Sequence, residues 1–93
     1  MTDEREGEIK KDLLWDYQQA EMKLEAFRVE FKDAADSYTG LARMLRDEPE
    51  SFAPLLSVMF QELQKVSDMA KEYKDLLLKN AERKALLIKL RVL

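Results

Sequence analysis

The side chains of this chain best equipped for chemistry are its carboxylates. Asp12 and Asp16 stand four apart, and Asp33 and Asp36 three apart. On a helix either spacing puts two carboxylates on one face, where they could share a hard divalent cation. A bundle completes such a site when Glu residues repeat inward on facing helices, and no such repeat is present. Solvated helix faces account for both pairs, and no metal site is expected.

The chain has no His and no Cys. That removes histidine general bases, thiolate nucleophiles, disulfides and the usual zinc sites. Ser37, Thr39, Ser51, Ser57 and Ser67 have no histidine to activate them. A catalytic lysine needs a pocket that a helical hairpin does not offer, and no glycine-rich phosphate loop occurs. The expectation is a non-enzyme with no catalytic residue and no cofactor.

Interaction chemistry is left. Trp15, Met22, Ala26 and Val29 are seven, four and three apart, so they form one stripe along a helix. Trp and Met are enriched where interfaces concentrate their energy, which makes this stripe the candidate partner or dimer interface and Trp15 its anchor. In the second half, Leu55, Met69, Leu76 and Leu90 form a sparser face interrupted by Glu62 and Arg83; it reads as a widening of the core side. The segment from Glu82 to Leu93 mixes Arg83, Lys84, Lys89 and Arg91 with Leu86, Leu87, Ile88 and Leu90. A basic apolar tail of this kind could lie on a membrane surface. The preferred reading packs it on Ile9, Leu13 and Leu14, its cations near the acidic amino-terminal stretch.

Net charge is -3, and basic and aromatic residues do not interleave, so no nucleic-acid partner is expected. Met1 to Glu30 carries nine acidic against five basic residues, while Lys79 to Leu93 carries five basic against Glu82 alone. An antiparallel hairpin would lay those ends side by side. The acidic start lacks the apolar core of a signal peptide, and no apolar run is long enough to span a bilayer; a cytoplasmic location is the resulting expectation.

The elements that would position these residues follow from an apolar seam. Leu13, Tyr17, Ala20, Leu24, Phe27, Phe31, Ala34, Tyr38, Leu41 and Leu45 alternate steps of four and three, the spacing at which one helix presents a stripe to another. A second seam runs through Phe52, Leu56, Met59, Leu63, Val66, Ala70, Tyr73 and Leu77. Beyond it the strict heptad would demand Asn80 and Lys84, whereas the apolar residues are Ala81, Ala85, Ile88 and Val92, so the stripe is expected to drift around the helix.

Between the seams, Arg46 to Ser51 is the expected turn, with Pro49 restricting Glu48 and Ser51 as N-cap. Pro54 falls in the first turn of the second helix. Gly40 is a weak point that the seam bridges in phase. Folding back pairs Leu45 with Phe52, Phe27 with Ala70 and Ala20 with Leu77, often small against large.

Two families share this outline. A hairpin of this length resembles the small secreted helical proteins built around a Trp-x-Gly turn, with Tyr38-Thr39-Gly40 in the corresponding stretch, although here the turn is expected at Pro49. The pattern from Leu13 to Leu77 is similar to part of a BAR-type membrane-bending coiled coil, which needs three longer helices and a basic concave face. Neither resemblance assigns a residue a role.

The expected fold is all-α: a long antiparallel hairpin of two helices, about 8–46 and 51–90, dimerising into a four-helix bundle or coiled-coil assembly. Residues 1–7 form a flexible acidic leader and 8–93 one domain. The expected core is Leu13, Tyr17, Leu24, Phe27, Phe31, Tyr38, Leu41, Leu45, Phe52, Leu56, Met59, Leu63, Val66, Tyr73 and Leu77. The expected function is a non-enzymatic interaction or assembly module, of the adaptor, export-chaperone, scaffold or phage-accessory type, working as a homodimer or with another protein. The alternative is a peripheral membrane protein using its tail.

Overall fold

Two helices carry almost the whole chain because little in it interrupts them. The computed structural model describes the backbone of residues 2–93 and side chains from Glu4 onward. Helix α1 spans Thr2–Asp47, α2 is Pro49–Phe52, a 3-10 turn occupies Ala53–Leu55, and α3 spans Leu56–Lys89. The chain is an all-α antiparallel helical hairpin.

Helix α1 passes through Gly40 unbroken. Beside it, the Thr39 hydroxyl donates to the Ala35 carbonyl at 3.0 Å, an extra bond one turn back. The helix also begins earlier than expected. Residues of the expected leader from Thr2 onward continue α1, and Met1 lies outside the described residues.

Glu48 alone separates α1 from α2. Pro49 disfavours helical geometry in the residue before it, and Glu48 has φ -140° and ψ 65°. The Glu48 carbonyl then accepts from Ser51 (3.0 Å) and Phe52 (3.3 Å), so its backbone starts the next helix while its side chain caps nothing. Ser51 is therefore inside α2 and not its N-cap, and Pro49 sits at the first helical position, where a missing N–H is harmless. Pro54 lies in the first turn of the 3-10 segment, at its second position. It cannot donate to the carbonyl of Glu50, and the chain tightens there into the 3-10 turn.

That turn explains the main departure from the expected core. In a 3-10 segment residues three apart eclipse, so Leu55, not Leu56, lines up with Phe52. The phase then continues through Met59, Val66, Met69, Tyr73, Leu76, Asn80, Arg83, Leu87 and Leu90, all buried or half-buried. Leu56, Leu63 and Leu77 are consequently exposed on the flank, as is Leu45 at the other side of the turn, where Met44 is half-buried instead. The sparser face of Leu55, Met69, Leu76 and Leu90 belongs to the core side. The expected drift after Leu77 does not occur: the heptad continues through a buried asparagine, and Ala81, Ala85 and Ile88 are exposed.

Two compact units are resolved by their internal packing, Met1–Ala26 with Tyr73–Leu93, and Phe27–Glu72. In the first, Ala20, Leu24 and Leu87 are buried, Leu24 to 1% exposure, and Asn80 lies among them at 2%. Asn80 Nδ2 donates to Glu21 Oε1 at 2.8 Å and to the Tyr17 carbonyl at 3.4 Å. Asn80 thus stands opposite Tyr17, in the same register as the pairing of Ala20 with Leu77. Its Oδ1 is buried with no partner. In the second unit Phe27 and Phe52 are buried, and Phe27 stacks on Phe31 with centroids 6.3 Å apart.

At its carboxyl end α3 closes with a Schellman turn. Arg91 adopts φ 61°, its N–H donates to Ile88 O at 3.0 Å, and Val92 N–H reaches Leu87 O at 2.9 Å. The usual residue at this left-handed position is glycine. Fully buried Leu87 and half-buried Val92 sit at the two positions that normally make the accompanying apolar contact.

Candidate interaction surfaces

Each helix of the first unit has one face turned inward and a second apolar stripe with nothing of the chain over it. On α1, Tyr17, Ala20 and Leu24 face the core. At 3.6 residues per turn, Trp15, Met22 and Ala26 point nearly the opposite way. All three are exposed, Trp15 to 61% and Met22 to 67%. Val29, one heptad beyond Met22 on the same helix, is exposed as well. Exposed large apolar side chains at a regular helical spacing are what an interaction face requires, since scattered ones need no explanation and aligned ones do.

The outer face of α3 holds a comparable stripe that reading the sequence as a drifting seam missed. Leu78, Ala81, Ala85 and Ile88 are three, four and three apart and all exposed; Leu78 and Ala85 point nearly opposite to Asn80 and Leu87, while Ala81 and Ile88 lie about a quarter-turn away, toward the flank. The signal was present in their spacing. That spacing reads as a drifting core only when Asn80 is set outside it. Lys74 lies in line with this stripe, and Lys89 flanks it. Among the described residues no ion pair joins the basic residues of the tail to Glu4, Glu6, Glu8 or Asp12. Ile9 is exposed, while Leu13 and Leu14 are half-buried.

The second unit contains an open cleft of about 720 Å³ between α1 and the start of α3. Its walls are apolar, with Leu41, Met44, Leu55, Val58, Met59 and Met69. Methionine suits a surface that must adapt to what it binds, being unbranched and polarisable. The rim carries Glu30, Asp33 and Glu62 against Lys65, a net negative edge. Tyr38 also lines the cleft, and its hydroxyl oxygen is buried without a hydrogen-bond partner.

Among the described residues no three acidic side chains come together as a metal site would need. No helix of these residues is long and apolar enough to cross a membrane. The arrangement offers docking surfaces: two exposed apolar stripes in one unit and a groove in the other. Gly40 lies within α1, far from the turn at Glu48, so the chain lacks the Trp-x-Gly hairpin turn in structure as well as in sequence. No family model matches the chain, and neither a characterised protein nor a solved structure does.

Proposed function

We propose that the protein is a non-enzymatic assembly module, a helical hairpin that associates with further copies of itself through its exposed helix faces. The observation that carries this reading is the stripe of Trp15, Met22 and Ala26, continued by Val29, on the side of α1 facing away from its core. Surface area supports it. A folded monomer of 10.9 kDa should expose about 5,600 Å², and this chain exposes 7566 Å². The excess of about 2,000 Å² per chain is the amount an obligate oligomer covers. Symmetric self-association is the common way to cover it.

The test replaces Trp15 or Met22 by Glu. A charge in a desolvated apolar contact has no counter-charge, so association weakens while the hairpin, whose core lies on the opposite side of α1, stays folded. Light scattering should then give a lower mass than for the unsubstituted protein, with unchanged helical circular dichroism. An unchanged mass for both variants would show that this face is not the interface.

A further inference from the structure

We infer that the methionine-lined cleft of the Phe27–Glu72 unit is the receptor for the outer face of α3 from a second copy, the stripe of Leu78, Ala81, Ala85 and Ile88. The inference rests on the self-association proposed above and names a contact distinct from the Trp15 face.

Shape supplies the first part of the argument. The cleft is a groove between two helices, apolar along its walls, and such grooves are filled by the apolar face of another helix. The α3 stripe has the required form: large Leu78 and Ile88 at its ends and two alanines between, which let backbones approach closely in the middle.

Charge decides between the two exposed stripes. The rim of the cleft is acidic through Glu30, Asp33 and Glu62. The Trp15 face is bordered by Asp12, Glu25, Glu30 and Asp33 against Lys11, Lys23 and Lys32, a mixed edge without the net positive charge that an acidic rim calls for. The α3 stripe brings Lys74, Lys84 and Lys89 against Glu82, a net positive edge. Complementary rims fix which faces meet and suppress the wrong pairing.

Area agrees with the count of contacts. In a closed assembly each copy gives one cleft and one stripe, so the contact covers both kinds of surface on every chain. That is how an excess near 2,000 Å² per chain can be covered when one helix face alone is too small.

Because the chain has no cysteine, introduced thiols report contacts cleanly. Val58 in the cleft and Ile88 on the stripe are 56% and 53% exposed, so Val58→Cys and Ile88→Cys should both fold. The two single variants, one carrying a mass tag, are mixed and mildly oxidised. Thiols held in a docked complex meet at an effective concentration of about 1 mM, so at micromolar protein the mixed disulfide should form on the order of tenfold or more faster than that of Val58→Cys with the exposed control Thr39→Cys. Glu30→Lys with Glu62→Lys should remove that advantage. Three results would overturn the inference. If light scattering shows association but the Val58–Ile88 pair links no faster than the control, the cleft has another occupant and the assembly reading stands. If Val58→Cys links preferentially to Trp15→Cys, the occupant is the α1 face. A monomer throughout removes both readings.

Discussion

Replacing Asn80 with Val should stabilise the hairpin, although it deletes two hydrogen bonds. Asn80 is buried at a heptad position between Tyr73 and Leu87, and only its amide nitrogen is satisfied. The bond to Glu21 Oε1 ends on an exposed side chain that water can solvate afterwards, so its loss costs about 1 kcal/mol. The Tyr17 carbonyl lies at 3.4 Å, a long contact contributing little. Against this, removing the unpartnered Oδ1 recovers about 1–3 kcal/mol of desolvation. Burying valine's apolar surface in place of the amide contributes about 1 kcal/mol, and its larger, β-branched shape takes about 1 kcal/mol back in a tight site. The net is about 1 kcal/mol of added stability, read as a rise of about 4–8 °C in Tm by circular dichroism. Asn80→Asp is the contrasting variant. It sets a buried carboxylate against Glu21 and should cost about 3 kcal/mol or more. A valine variant that melts lower than the parent, or an aspartate variant that melts with it, would refute this account of the site. A single buried Asn at such a position also specifies register, so the valine variant should tolerate helix slippage better.

Other positions give simpler tests by thermal or urea denaturation. Leu24→Ala removes a side chain exposed to only 1% and should cost about 2–5 kcal/mol, while Leu45→Ala, on the exposed flank, should stay within about 0.5 kcal/mol. A Cβ added at Gly40 meets nothing within 4 Å, so Gly40→Ala should stabilise the uninterrupted α1 by about 1 kcal/mol. Arg91→Gly, which relieves a non-glycine residue held at positive φ, should add about 1 kcal/mol.

The seam of α1 was legible because its residues keep a heptad spacing from Leu13 to Leu41 with no breaker strong enough to end the helix, and its inner face is where the sequence placed it. The core of α3 was legible only at every second position. Phe52, Met59, Val66 and Tyr73 belong to either phase, and the choice between Leu55 and Leu56 depends on how far one turn rotates around Pro54. Hydropathy carries no record of that rotation. Asn80 was missed for a related reason: a polar residue reads as outward until a partner on the other helix, here Glu21, is known to lie within reach. Once it was placed outside, Ala81, Ala85 and Ile88 looked like a drifting core, and an exposed stripe went unrecognised. The exposed positions Trp15, Met22, Ala26 and Val29 could be picked from spacing because that required only the phase of one helix. The cleft needs two helices in register, and no single stretch of sequence contains it.

The claim that these surfaces exist to be covered is tested most directly by the mass of the unmodified protein in solution. Light scattering across a concentration series should give at least twice 10.9 kDa, holding into the micromolar range as an obligate contact requires. A mass of 10.9 kDa at the highest concentrations would contradict the account, because the exposed stripes and the cleft would then be stable facing water.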